Sequence, residues 1–166
     1  VGNAGNISAY WKGYREYSDA GHSDTLPRMM GFQAAGAAPF VEDAFIDDPE
    51  TIASAIRIGK PASWQPAKAA LQFSAGAIDK VTDEEILTAY QMITAQEGIF
   101  VEPASAAALA GIIKLQNAGK IDEGSIVVAT MTGHGLKDPD NAVEHANVEA
   151  TTVEPTLDAV KAAIGI

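Results

Sequence analysis

Cysteine is absent from this 166-residue chain. Disulfide frameworks and thiol nucleophiles are therefore excluded, and the composition suits a reducing, cytoplasmic setting. Long apolar runs are also absent, and none approaches the roughly 18 residues that cross a bilayer. Basic residues are few, 11 against 22 acidic ones, for a formal net charge of −11. So acidic a surface repels nucleic acid and anionic lipid, and neither is expected as a partner. The three histidines, His22, His134 and His145, lie too far apart for a local metal motif, so no metal is expected. There is no nucleotide P-loop ending in Gly-Lys-Ser/Thr, no Gly-x-Gly-x-x-Gly and no Gly-x-Ser-x-Gly elbow. Asn6-Ile7-Ser8 fits a glycosylation sequon, taken here as a chance match because no leader peptide accompanies it.

What the chain does have stands at its start. Gly2-Asn3-Ala4-Gly5-Asn6 leads into Ile7, Tyr10, Trp11 and Tyr14 at helical spacing. A glycine-rich loop at a helix N-terminus presents free N–H groups and the positive end of the helix dipole, a setting suited to phosphate. An ordinary Gly/Asn turn capping a helix explains the same residues. Gly-rich phosphate loops follow a buried strand, and none precedes Val1. The chain is accordingly expected to be an incomplete piece of a larger domain.

Along the chain, helices are expected at Asn6 to Ser18, from the Asp48-Pro49-Glu50 start signal to Ile56, and at Trp64 to Phe73. A capping box at Thr82-Asp83-Glu84-Glu85 opens another helix, closed by Gly98. An alanine-rich helix follows over Ser105 to Ala118, and a terminal one begins after Pro155. Strands are expected at Arg28 to Ala34, at Ala77 to Val81, briefly at Ile99 to Val101, at Ser125 to Thr132 and at Val148 to Val153. Ala35 to Phe40 reads as a loop and Asp138 to Asn141 as a turn. Alternating strands and helices make the class α/β, with a mainly parallel sheet flanked by helices. Ligands of such sheets bind beyond the carboxyl ends of strands. Two loops fit that place, Gly2–Asn6 and Thr132–Gly135. Thr132 could hydrogen-bond one heteroatom of a flat ligand, or merely its own backbone. His134 could act in chemistry or simply shape its turn.

Four runs together resemble the threonine synthase family of pyridoxal-phosphate enzymes, of the tryptophan-synthase-β (fold-type II) kind. They are Gly2-Asn3-Ala4-Gly5-Asn6-Ile7-Ser8-Ala9, Thr51 to Gly59 with Pro61 to Trp64, Glu97 to Ala106, and Thr132-Gly133-His134-Gly135-Leu136-Lys137-Asp138-Pro139. They occur in the family's order and span most of the chain. The resemblance implies that residues 1–166 form most of the large C-terminal domain, without its N-terminal strands. It implies pyridoxal 5'-phosphate as cofactor, with its phosphate on the backbone of Gly2, Asn3, Ala4, Gly5 and Asn6. Ala55 and Ile56 would lie beside the ring, Thr132 would bond its nitrogen, and Glu102 and Ser105 would sit nearby. Asn6 would also reach the phosphate of the substrate, O-phospho-L-homoserine, which with water becomes L-threonine and phosphate.

The resemblance also implies a missing part. The family's Schiff-base lysine lies before the phosphate loop. None of Lys12, Lys60, Lys68, Lys80, Lys114, Lys120, Lys137 and Lys161 stands in that motif. The chain alone is expected to be inactive, completed by an N-terminal part and working as a homodimer. Two alternatives stay open: a related serine/threonine dehydratase, and a non-catalytic α/β binding module.

Overall fold

The computed structural model describes residues 1–145 and 151–166. Strand β1 (Met30–Ala34) pairs in parallel with β2 (Ala77–Val81), in register from Met30↔Ala77 to Ala34↔Val81. Helix α1 (Gly5–Asp19) turns Ile7 and Trp11, four residues apart, inward against Ala67 and Ala70 of α3 (Trp64–Phe73). Met29, just before β1, joins this cluster.

A second and larger cluster fills the other side. Helix α4 (Asp83–Glu97) contributes Ile86, Ala89, Tyr90 and Ile93, and α5 (Pro103–Asn117) contributes Ala106, Ala107 and Ala110, all packed with Phe32, Ala34 and Val81 of the sheet. The capping box forms as expected. Thr82 Oγ1 accepts the Glu85 N–H at 3.2 Å, and Glu85 Oε2 accepts the Thr82 N–H at 2.8 Å. Gly98, at φ 67°, ends α4 in the left-handed conformation that glycine adopts without penalty.

Helix α5 lies close on the sheet because its face is made of small residues. A Cβ on Gly111 would stand 2.1 Å from Phe32 Cγ, so only glycine fits. The Lys114 ammonium then reaches over β2, donating to Lys80 O at 2.6 Å with Asp79 Oδ2 at 3.2 Å. Burial pushes the Asp79 carboxyl up, but the Lys80 N–H and the Lys114 ammonium outweigh it and hold the group below its usual range.

Several expectations are corrected. The Asp48-Pro49-Glu50 signal opens no helix, and only a 3-10 turn forms, at Ser54–Ile56. The backbone here is satisfied by distant partners. Asp83 accepts from Thr51 Oγ1 (2.5 Å) and from the Ile52 N–H (3.1 Å). The Glu50 N–H donates to Gly36 O at 3.0 Å, and Arg57 Nε to Thr51 O at 2.8 Å. The Ala35–Phe40 loop holds a 3-10 turn (Ala35–Ala37) and runs into helix α2 (Pro39–Glu42), where Pro39 suits the first helical position and the buried side-chain Oε1 of Gln33 accepts the Phe40 N–H. Asp138–Asn141 is not a free turn. Pro139 starts helix α6 (Pro139–His145), and Asn141 Nδ2 donates to Ile52 O at 3.0 Å.

The largest correction is at Ser125–Thr132, which forms no strand. Ile126 and Val128 are 94% and 76% exposed, and among the described residues no strand lies alongside to pair with them. High β-propensity expresses itself only on a paired, half-buried surface. Ile99–Val101 shrinks to one antiparallel bridge, Val101 with His134. Of the strand expected at Val148–Val153, residues 148–150 lie outside the described residues, and Thr151–Val153 is not strand. Helix α7 (Leu157–Ile164) follows, capped by Thr156 Oγ1 on the Ala159 N–H at 3.2 Å. No helix among the described residues is long and apolar enough to cross a membrane.

Two glycine-to-alanine changes should act with opposite sign on urea unfolding midpoints. Gly13, mid-helix with open space where a Cβ would stand, should gain about 0.5–1 kcal/mol as Gly13→Ala. Gly111→Ala should lose about 1–3 kcal/mol, because the methyl group overpacks the Phe32 ring. A gain at both positions would contradict the described approach of α5 to the sheet.

Candidate functional site

Helix α1 begins without a side-chain cap, and its N-cap residue, Ala4, is held at φ 61°, ψ 16°. A non-glycine residue in this region is strained by about 1 kcal/mol or more. The surrounding contacts impose it. Asn3 Oδ1 accepts the Ala62 N–H at 3.2 Å, and Asn3 O accepts the Ser63 N–H at 2.9 Å. Ser8 Oγ donates back to Ala4 O at 2.7 Å. The N–H groups of Gly5, Asn6 and Ile7, the first turn, find no protein acceptor among the described residues. No acidic side chain stands in that turn to compete with an anion. Gly5 and Asn6 are exposed, while Ala4 is buried.

The loop leans on the turn that carries Ala55. A Cβ on Gly2 would meet Ala55 O at 3.1 Å, Ile56 Cα at 3.2 Å and Ile58 Cδ1 at 3.0 Å. Glycine at this position lets the loop settle against the turn. Gly2 and Ala55 are therefore neighbours, with Ala55 exposed and Ile56 buried beneath it.

Thr132 opens the second loop, and its side is built from the N-terminus of α5. Gly133 donates its N–H to Ser105 Oγ at 2.8 Å, and Thr132 Oγ1 lies 3.2 Å from the same hydroxyl. Gly133 O accepts the Glu102 N–H at 3.0 Å. The Glu102 carboxylate covers Gly133 so closely that a Cβ there would come within 1.9 Å of Oε1. Glu102 is buried, with the Lys137 ammonium 3.9 Å from Oε1. His134 turns away from this group. Its Nδ1 accepts the Leu136 N–H at 3.1 Å, and its ring stands edge-on to Phe100 at 5.4 Å. Those contacts brace the turn that His134 opens.

The two loops are joined by a bond that sequence reasoning missed. Ser54 Oγ donates to Asp138 Oδ2 at 2.8 Å, tying the Ala55 turn to the end of the Thr132 loop. The Asp138 carboxyl also lies near Tyr90, whose hydroxyl is raised above its ordinary pKa, first by burial and then by that charge. Asp138-Pro139 carries the signal of a turn, and no local signal in the sequence names Ser54 as its partner across 84 positions.

A double-mutant cycle over Ser54→Ala and Asp138→Ala should return a coupling of about 1 kcal/mol in urea unfolding. Strictly additive losses would remove the link between the two loops.

The sequence pattern of the pyridoxal-phosphate dependent enzyme family matches residues 1–133. The chain is 52% identical over 166 residues to a threonine synthase of Synechocystis, covering 99% of this chain and 43% of that protein. It is 59% identical over 144 residues to a threonine synthase of Mycobacterium leprae, covering 87% of this chain and 40% of that protein. The chain thus spans less than half the length of these relatives. Among solved structures, an L-serine ammonia-lyase from Rhizomucor miehei superposes with a TM-score of 0.62 at 19% identity, over 87% of this chain and 47% of that one. That likeness concerns the fold, an α/β arrangement with a parallel sheet flanked by helices. Pyridoxal phosphate carries a phosphate at one end and a pyridine nitrogen at the other. The uncapped N–H groups of the first loop and the Thr132 hydroxyl of the second have the matching chemistry. The chain belongs to the family of pyridoxal-phosphate dependent enzymes.

Proposed function

We propose that residues 1–166 are the cofactor-holding part of a threonine synthase, which converts O-phospho-L-homoserine and water to L-threonine and phosphate. The observation that carries this reading is the uncapped, left-handed start of α1 packed on the Ala55 turn, which Ser54 and Asp138 tie to the Thr132 loop. The identity to threonine synthases, 52% and 59%, supports the choice of substrate.

The backbone N–H groups of Gly2 to Asn6 hold the cofactor phosphate, helped by the dipole of α1. Ala55 lies beside the ring, where a small side chain leaves room for the substrate. Thr132 hydrogen-bonds the ring nitrogen. A neutral hydroxyl there, unlike a carboxylate, leaves that nitrogen largely unprotonated and tempers the ring as an electron sink. Bound pyridoxal phosphate supplies that sink, which stabilises negative charge on the substrate carbons while phosphate leaves and water adds. Asn6, exposed at the start of α1, reaches the substrate's own phosphate.

The lysine that links the cofactor lies outside these residues. Lys12, Lys60, Lys68, Lys80 and Lys114 are each paired with a carboxylate. Lys137, the one beside Thr132's loop, is turned to Glu102. The remainder of the protein supplies that lysine, and the complete enzyme is a homodimer.

The full-length protein should release phosphate and form threonine from O-phospho-L-homoserine, and residues 1–166 alone should do neither. Ammonia from serine or threonine without phosphate release from O-phospho-L-homoserine would favour the related dehydratase instead. In the full-length enzyme, Thr132→Asp should protonate the ring nitrogen, shift the cofactor absorbance and lower turnover by about tenfold or more. An unchanged spectrum and turnover would take Thr132 out of the site.

A further inference from the structure

Ser105 is almost fully enclosed, at 2% exposure, in the first turn of α5. A serine hydroxyl has one proton to donate and two lone pairs. One lone pair is filled, because Gly133 donates its N–H to Ser105 Oγ at 2.8 Å. The proton has two acceptors within reach, Thr132 Oγ1 at 3.2 Å and Gly133 O at 3.4 Å. Gly133 O is the poorer choice. It lies farther off and already accepts the Glu102 N–H at 3.0 Å. Thr132 is exposed on the other side, so its hydroxyl is free to turn outward.

We propose that Ser105 is a positioning residue: it donates its hydroxyl proton to Thr132 Oγ1 and thereby aims the Thr132 proton at the cofactor's ring nitrogen. The inference rests on the proposed pairing of Thr132 with that nitrogen. In a chain of hydroxyls each donated bond strengthens the next, so Ser105 makes Thr132 a better donor. The Gly133 N–H takes one lone pair of Ser105 Oγ, and the direction of the chain follows from where the Ser105 proton goes, to the nearer Thr132 Oγ1 and not to the already occupied Gly133 O. The ring nitrogen then accepts a full hydrogen bond and stays unprotonated. Proton direction at the pyridine end is thus set by α5 and not by Thr132 alone.

The opposite polarity is the competing arrangement. Thr132 would donate to Ser105, Ser105 would donate to Gly133 O, and the ring nitrogen would face an oxygen lone pair. The two arrangements predict opposite responses to removal of Ser105. If Ser105 donates, its loss weakens the Thr132 donor, and the pyridine nitrogen moves toward a free base. If Ser105 accepts, its loss releases the Thr132 proton to the nitrogen.

The test is the 15N resonance of ring-labelled pyridoxal phosphate in the full-length holoenzyme, compared among wild type, Ser105→Ala, Ser105→Cys and Thr132→Val. Ser105→Ala should move the resonance downfield, toward free pyridine. Ser105→Cys, close to serine in size and a weaker donor, should move it less in the same direction and serves where the alanine variant does not fold. On a Thr132→Val background, Ser105→Ala should add nothing, because Ser105 acts through that hydroxyl. An upfield shift or no shift in both Ser105 variants, with Thr132→Val still effective, would overturn the role of Ser105. No shift in Thr132→Val itself would remove the Thr132 pairing, and this inference with it.

Discussion

Helix α5 can settle on the sheet only because Gly111 presents no side chain to the Phe32 ring. That contact sets the height of the whole helix. From it follow the reach of Lys114 to Lys80 O and Asp79, which pins the C-terminal half of α5 to β2. From it follows too the place of the N-terminal turn, where Glu102 and Ser105 meet Gly133. Raising α5 by the width of one methyl group would move Ser105 from a 2.8 Å bond by a comparable amount, and hydrogen bonds weaken steeply on that scale. A packing constraint in the core therefore governs the buried Ser105 hydroxyl that lies against the exposed Thr132. Interiors packed as densely as crystals transmit such displacements.

The second loop and the first communicate by a different route, through backbone groups taken over by side chains far away in sequence. Asp83 caps nothing outside α4; instead both its oxygens hold Thr51 and Ile52. Arg57 holds Thr51 O, Asn141 holds Ile52 O, and Asp138 holds Ser54. The Ala55 turn sits inside this net and supports Gly2 in turn. Few of these bonds are strong singly, at about 1 kcal/mol each net of competition with water. Together they leave the segment no freedom to wind into the helix its own residues favour.

That net explains where sequence was readable and where it was not. Elements governed by neighbours in the chain were legible: the Thr82–Glu85 capping box, the Gly98 stop, and the bounds of α3 and β2. Elements governed by distant partners were not. Asp48-Pro49-Glu50 carries every local mark of a helix start, yet the Glu50 N–H goes to Gly36 O and the Ile52 N–H that follows goes to Asp83. Ser125–Thr132 shows the converse failure. Ile126, Val127 and Val128 are ideal strand residues, but no paired surface exists for them among the described residues, and they lie open beside α5. The candidate site was legible as two loops from their glycines and from family resemblance. The Ser54–Asp138 bond, which ties the Thr132 loop to the turn on which the first loop leans, was not, because nothing short of the folded contact relates those positions.

The strain at Ala4 bears on how the first loop works. An alanine at φ 61° is tolerated because Asn3 is anchored on both its backbone and its side chain to residues 62 and 63, and because Ser8 holds Ala4 O. The cost is met by contacts on the protein side of the loop, so under the proposed function the N–H groups on the outer side would receive a phosphate without rearranging. A more relaxed loop would have to surrender conformational freedom on binding, and each residue so ordered costs roughly 1 kcal/mol or more. Pre-paying that cost in the fold is the ordinary route to tight binding of a small charged group by backbone alone. It also accounts for the missing side-chain cap. A serine or aspartate oxygen at the Ala4 position would satisfy the same N–H groups that the loop keeps free.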